Sequence, residues 1–203
     1  MLVSLLVITA VSGGVLGFVY ALTKDTIADV DKKKNAAAIA EVLGTDESTR
    51  LDTVTCDGML YNLAYDAQNQ FVGAAIKSST NGFGGKIELM VGIMADGTIN
   101  KISVLSQSET PGLGANMTNE KFKGQFDGKH PDTFNLKVKK DGGDVDAITA
   151  ATISSRAFSE AVENACNSFR NNVSQFVGQA EEPNEETITE EITETTEGGN
   201  ENE

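Results

Sequence analysis

Asp146-Ala147-Ile148-Thr149-Ala150-Ala151-Thr152-Ile153-Ser154-Ser155 is the stretch around which the rest of the chain is read. Downstream of it, Phe158, Val162, Cys166 and Phe169, joined by Ala161 and Ala165, recur at steps of three and four, the spacing of one helical face. Upstream stands Asp141-Gly142-Gly143-Asp144, a turn by composition. Thr149 and Thr152 therefore fall where a strand-fed loop becomes a helix, beside free backbone N–H groups and the positive end of the helix dipole. That corner suits a phosphate, because several donors converge on it. Ala150 and Ala151 are small and let a bulky ligand approach the backbone. The same hydroxyls are also ordinary helix caps, so the residues alone leave capping and ligand binding both open.

The text before this stretch reads as strands and turns. Met59 to Tyr65 and Phe71 to Lys77 flank the polar turn Asp66 to Gln70 and predict a hairpin. Ile87, Leu89, Val91 and Ile93 alternate strictly, as in a half-buried strand. Asp96-Gly97 is a turn signal, and Ile99 to Leu105 returns as the partner strand. Ahead of this pair lies Asn81-Gly82-Phe83-Gly84-Gly85, whose three glycines permit close approach of the backbone to a ligand or a neighbouring strand. After it comes Glu109-Thr110-Pro111-Gly112-Leu113-Gly114, where Pro-Gly is a good type II turn pair. Asn119 to Phe126 then reads as a short helix, and Phe134 to Lys139 as a strand feeding the corner at Thr149. The fold class is α+β.

Two appendages flank this core. Leu2 to Leu22 gives 21 mostly apolar residues, and no charge occurs from Met1 to Thr23. At 1.5 Å per residue that is roughly 32 Å, enough to cross a bilayer. The run is too long for a signal peptide and lacks a basic start and a clear cleavage site, so an uncleaved anchor is the reading. Gly13, Gly14 and Gly17, with Ser4 and Ser12, offer small surfaces for packing on other membrane helices. Thr26 to Leu43 reads as a stalk helix rich in Ala and Lys, with Gly44 as its stop. At the other end, Glu181 to Glu203 holds ten Glu and no Lys or Arg, too little apolar surface to fold alone. Without those ten charges the formal net charge of −14 becomes −4, so the acidity lies mostly in this tail and argues against nucleic acid as a partner. The division is residues 1–23 membrane helix, 24–45 stalk, 46–178 folded domain and 179–203 acidic disordered tail.

Other chemistries have little support. His130 is the only histidine, beside Pro131 in a polar loop, and hydrolase triads and histidine metal sets have little support. Cys56 and Cys166 lie far apart without a C-x-x-C spacing. Cys166 falls on the apolar helix face as a packed thiol, and two positions do not decide whether a disulfide forms.

Asp146-x-x-Thr149-Ala150-Ala151-Thr152-x-Ser154-Ser155 resembles the flavinylation signature of the FMN-binding domain found in the G subunit of Rnf complexes and the C subunit of the sodium-pumping NADH:quinone oxidoreductase. The commoner pattern there has Gly where this chain has Ala150, which on size alone is a mild departure. Glu109-Thr110-Pro111-Gly112-Leu113-Gly114 is similar to the second hallmark of that domain without a change, and Phe83-Gly84-Gly85 resembles the aromatic-Gly-Gly run ahead of its strand. The similarity extends from Lys24 to Gln175.

The resemblance implies FMN attached through a phosphoester to Thr152, with Asp146, Thr149, Ala150, Ala151, Ser154 and Ser155 around the attachment. It implies that Glu109 to Gly114 wall the flavin, with Gly84 and Gly85 close by and Thr110 as a hydrogen-bond candidate. Thr hydroxyl is a poor nucleophile without an activating base. Asp146 is the one nearby candidate in sequence, so attachment calls for a separate flavin transferase acting on FAD. The implied protein is a redox subunit with no turnover of its own, held in the cytoplasmic membrane beside other subunits. By family it passes electrons within an Rnf-type complex that couples reduced ferredoxin and NAD⁺ to Na⁺ or H⁺ movement. A flavin relay in another extracytoplasmic respiratory chain and a non-flavinylated membrane-tethered scaffold are the alternatives. Orientation divides the two kinds of argument. Lys24, Lys32, Lys33 and Lys34 follow the apolar run, and charge bias alone puts the domain in the cytoplasm. The family holds it on the extracytoplasmic side, and that is the expectation kept.

Overall fold

The computed structural model describes residues 2–44 and 49–178. The stretch at 179–203, expected as a disordered tail, lies outside the described residues. One helix, α1 (Leu2–Leu43), runs without a break from the apolar start into the folded domain. Within it Val3–Lys24 is long and apolar enough to cross a membrane, and none of it is buried within the chain. Gly44 ends the helix at φ +65, with its N–H on the Ala40 carbonyl at 2.9 Å, the left-handed stop that glycine adopts without a Cβ penalty.

Five strands follow as an antiparallel meander in the order β1-β2-β3-β4-β5. They are β1 (Arg50–Cys56), β2 (Met59–Tyr65), β3 (Phe71–Asn81), β4 (Lys86–Met94) and β5 (Ile99–Ser106). The β2–β3 and β4–β5 hairpins match the expectation from alternation and turn residues. β1 goes beyond it, because its Thr-rich, largely exposed sequence carries only weak alternation. It is recruited by the Asp57-Gly58 turn, both residues at positive φ, which folds it back on β2 as an edge strand. The Asp57 carboxylate also accepts hydrogen bonds from Ser168 Oγ at 3.0 Å and Asn172 Nδ2 at 2.7 Å, fastening this hairpin to the last helix.

The two faces of the sheet are covered by different helices. On one face the last helix, running from Thr152 to Gly178, buries Phe158, Val162, Phe169 and Phe176 against Tyr61, Leu63, Ile76, Leu89 and Ile93. On the other, Ala38, Val42 and Leu43 of α1 pack on Ala64, Ala75, Met90 and Leu105. The period-2 alternation of β4 splits the cores: Leu89, Val91 and Ile93 face the last helix, whereas Met90 faces α1. Gly92 shares the α1 face, and a Cβ there would run into the Val42 carbonyl, so its missing side chain lets the helix end approach the sheet. Polar ties complete the seat of α1. Asn100 Nδ2 donates to the Val42 carbonyl at 2.7 Å, Ser103 Oγ to Glu41 at 2.8 Å, and Lys34 Nζ to the Leu105 carbonyl.

Two expectations need correction. Phe134 to Lys139 is not a strand. It joins no edge of the sheet, and its backbone pairs locally instead. Val138 bridges Val145, Asn135 N–H donates to the Asp144 carboxylate at 2.8 Å, and Lys139–Asp141 forms a 3₁₀ turn capped by Gly142 at φ +81. Its alternating Leu136 and Val138 still enter the core, which is why the segment carries a strand pattern. The helix expected over Asn119 to Phe126 is shorter, α2 (Glu120–Lys123), preceded by a 3₁₀ turn at Gly114–Thr118 and ended by Gly124. The last helix is α3 (Thr152–Gly178). Cys56 and Cys166 are both free. Burial pushes the Cys166 thiol up to about 12, so it behaves as an inert packed group.

Candidate functional site

Three loops converge at the start of α3: the Gly-rich connection from β3 to β4, the segment after β5, and the turn at 146–151. Glu109, in the segment after β5, links the first of these to α3 itself. It is 6% exposed, and its carboxylate accepts from Gly84 N–H at 3.0 Å and from Ser154 Oγ at 2.8 Å. A Cβ at Gly82 would collide with Glu109, one at Gly84 with the Ser108 carbonyl, and one at Gly114 would sit 2.5 Å from Ser154 Oγ and 2.6 Å from Glu109 Oε2. The glycines of both loops are therefore needed for backbone packing around this carboxylate. Gly84 and Gly85 face Ser108–Glu109 rather than an open space.

The turn into α3 is built on Ala150. Ala151 N–H closes it on the Ile148 carbonyl at 3.0 Å, with Ala150 at φ +59 in the left-handed region. An L residue pays about 1–2 kcal/mol for that conformation and glycine does not. This conformation, more than side-chain size, accounts for glycine at the corresponding position of the commoner motif.

Helix α3 then begins at Thr152, and the residue before it, Ala151, has no side-chain acceptor for the N–H groups of the first turn. The hydroxyls of the motif are not spent on those N–H groups in the usual way. Ser155 Oγ accepts from Ile148 N–H and donates to the Ala151 carbonyl, both at 2.9 Å, pinning the turn from inside. Ser154 Oγ is taken by Glu109. Thr152 Oγ1 faces outward, where it accepts from Lys140 Nζ at 3.3 Å. Thr149 is exposed on the other side of Ala150.

Two grooves flank Ala150. One, of about 450 Å³, is lined by Phe83, Glu109, Thr110, Leu113, Gly114 and the turn from Ala150 through Ser154, Thr152 among them. The other, of about 390 Å³, takes in Gly112, Asn116, Asn119, Phe122, Gln125, Asp146 and Thr149. The two threonines thus open into different grooves, sharing only Leu113 and Ala150 as a divide. Asp146 goes with Thr149. Its carboxylate pairs with Lys139 at 2.8 Å, and its backbone is clamped by the Gln125 amide at 2.8 and 3.2 Å. Pro111 is exposed and lines neither groove.

The Thr152 groove has an apolar rim. Phe83 is 71% exposed, Ile153 52% and Leu113 41%, a concentration of uncovered apolar surface outside α1. At Thr152 the groove meets polar and cationic groups, the first-turn N–H groups of α3 and Lys140, whose ammonium donates to Thr152 Oγ1. Arg156 lies beside it, held by Asp141 through two hydrogen bonds of 2.7 and 2.6 Å that keep the Asp141 carboxyl below its ordinary value. An apolar planar group ending in a phosphate matches that gradient. Sequence reading singles out the Phe83 loop but not Phe83 or Ile153 as lining residues, and it does not select Lys140. The alternation of exposed and buried residues into α3 is the available signal for Ile153. Lys140 has none, because its approach to Thr152 depends on the 3₁₀ turn that replaces the expected strand.

Comparison with known proteins bears on the same residues. The FMN-binding domain family matches residues 82–167. The chain is 36% identical over 172 residues to the G subunit of the ion-translocating oxidoreductase complex of Methanosarcina acetivorans, covering 81% of this chain and 90% of that one. It is 38% identical over 104 residues to the G subunit of the proton-translocating ferredoxin:NAD(+) oxidoreductase complex of Clostridium ljungdahlii, covering 50% of this chain and 56% of that one. A third relative is the G subunit of the Na(+)-translocating ferredoxin:NAD(+) oxidoreductase complex of Acetobacterium woodii, 26% identical over 184 residues, covering 82% and 89%. The crystal structure of the C subunit of Na(+)-translocating NADH-quinone reductase from Parabacteroides distasonis shares the fold, with a TM-score of 0.50 at 18% identity, covering 74% of this chain and 96% of that one.

Proposed function

The chain belongs to the family of G subunits of ion-translocating oxidoreductase complexes, and on that premise we propose that it is a membrane-anchored electron-transfer subunit whose FMN is joined to Thr152 by a phosphoester. The observation that carries the residue assignment is the outward-facing Thr152 hydroxyl, set at the start of α3 in the groove of Phe83, Thr110 and Leu113 and met by a lysine. Thr149 opens into the other groove, away from that lysine.

FMN supplies reversible one- and two-electron transfer when bound, and the chain supplies position and surroundings. The first-turn N–H groups of α3 and Lys140 would hold the phosphate, Phe83, Leu113 and Ile153 would give the ring apolar surface, and Thr110 would add a polar group to the same groove. Glu109 lines the groove, with its carboxylate engaged by Gly84 N–H and Ser154 Oγ, so that it ties the β3–β4 connection to the start of α3. Asp146, paired with Lys139 in the other groove, fixes the turn that presents Thr152. A separate flavin transferase therefore provides the base for attachment.

The domain lies on the extracytoplasmic side of the cytoplasmic membrane, where a covalent bond keeps the flavin from being lost by dilution. Its partners are the other members of a complex that couples electron flow between ferredoxin and NAD⁺ to Na⁺ or H⁺ transport. Intact mass and in-gel ultraviolet fluorescence, measured after denaturation on protein from its own membranes, test the assignment. Fluorescence that survives denaturation, with the mass of one FMN less water on the Thr152 peptide, is the expected result. An unmodified mass in a host with an active transferase overturns it in favour of a scaffold role.

A further inference from the structure

We infer that Lys140 is a positioning residue for flavin attachment, neutralising the phosphate as it transfers to Thr152 and holding it afterwards; this rests on the flavinylation reading above. The argument begins with how the cations around the corner are satisfied. Arg156 is bound by Asp141 and Lys139 by Asp146. Among the described residues Lys140 has no carboxylate within ion-pair distance, and its ammonium donates to the one hydroxyl at 3.3 Å, Thr152 Oγ1. A lysine is a compact point charge with three donors, so one phosphate oxygen placed on Thr152 satisfies it without rearrangement.

The backbone under Lys140 is fixed in place. The Lys139–Asp141 3₁₀ turn is anchored below by the bridge between Val138 and Val145, with Lys139 N–H on the Val145 carbonyl at 2.8 Å. It is anchored above by the Asp141–Arg156 clamp, whose arginine stands one turn along α3 from Thr152. Gly143 permits the return of the chain, since a Cβ there would strike the Lys137 carbonyl. The backbone that carries Lys140 is thus fixed beside the helix start by contacts on both sides of it.

In the transfer, Thr152 Oγ1 forms a bond to the FMN phosphorus of FAD as the phosphorus–oxygen bond to AMP breaks. AMP leaves, and the threonine proton passes to a general base of the transferase. No oxidation or reduction occurs. Negative charge accumulates on the phosphoryl oxygens at the position Lys140 already faces, where a charge-assisted hydrogen bond has its largest effect.

The test uses the full chain in detergent with purified flavin transferase and FAD, reading the initial rate of covalent fluorescence. Lys140→Ala lowers that rate about tenfold, and Lys140→Glu lowers it further. Lys140→Arg restores it to within about threefold of wild type, because charge is kept while the head-group shape changes. Lys101→Ala, an exposed lysine on β5, serves as the charge-matched control and leaves the rate unchanged. The ³¹P chemical shift of the attached phosphodiester, measured on fully loaded protein, differs between wild type and Lys140→Ala. A wild-type rate in Lys140→Ala, with Thr152→Ala still taking no flavin, overturns the role of Lys140 and leaves the attachment reading intact. A slower rate with an unchanged ³¹P shift also overturns it, since the lysine then acts on the transferase. Failure of the wild-type chain to take flavin at Thr152 overturns both.

Discussion

The ten residues from Asp146 to Ser155 divide into an inward half and an outward half, and the two do different work. Ala151, Ser154 and Ser155 are buried, and their hydrogen bonds to Glu109, Ile148 and each other set the shape of the corner. Thr149, Ala150, Thr152 and Ile153 face the grooves. A motif read as one string of small and hydroxyl residues is thus a scaffold and a groove-facing surface interleaved. From Thr152 onward, helical periodicity assigns each residue to one or the other.

The largest effect expected from breaking this division is Thr152→Ala, which abolishes covalent flavin on denaturing gels, whereas Thr149→Ala retains it. The reverse pattern would place the attachment in the other groove. Next comes the inner half. Glu109→Ala leaves Gly84 N–H and Ser154 Oγ without their acceptor and costs about 2–3 kcal/mol, read as a lower denaturant midpoint. Gly114→Ala forces a methyl against Ser154 and Glu109 at a cost of similar size. Ala150→Gly acts the other way. It relieves the positive φ, raises stability by about 1 kcal/mol and leaves flavin loading at the wild-type level. A loss of stability there would mean the strain is imaginary.

The smallest effect lies outside the motif. Burial, followed by the charge of Glu120, raises the Asp127 carboxyl above its ordinary 3.8, and its Oδ1 is buried without a hydrogen-bond partner. The folded state therefore prefers the protonated acid. That contribution to stability is present below pH 3.8 and is lost as pH rises through the folded value. Asp127→Asn is accordingly more stable than wild type at pH 7, by less than about 1 kcal/mol since solvent screens a half-exposed group. The difference closes below about pH 4, where the wild-type carboxyl is itself neutral, as paired thermal melts across that range will show.

How legible the molecule is depends on whether a feature is local. The β2–β3 and β4–β5 hairpins and α3 follow from alternation, turn residues and a three–four apolar repeat, all properties of neighbours in sequence. β1 and the irregular course of Phe134 to Lys139 do not. The first is held by a tight turn and by Asp57 reaching α3. The second has a strand's alternation but pairs with its own neighbours instead of the sheet. At the site, the motif positions are visible in sequence, but their directions are not. Glu109 is buried in the wall of the groove because three glycines from two loops pack around it, an arrangement that no single spacing records. Ala150 reads as a small residue, when the backbone angle is what the position demands.

The unbroken course of α1 from Val3 into the contact with Gly92 has a geometric consequence for any complex built around this chain. Membrane segment and flavin domain share one screw axis. Inserting a single residue between Lys24 and Lys34 would turn the whole domain by about 100° and lift it by about 1.5 Å relative to the bilayer. Inserting seven would nearly restore its heading while raising it by about 10 Å. The phase of this helix, more than the length of its stalk, therefore sets which way the domain faces.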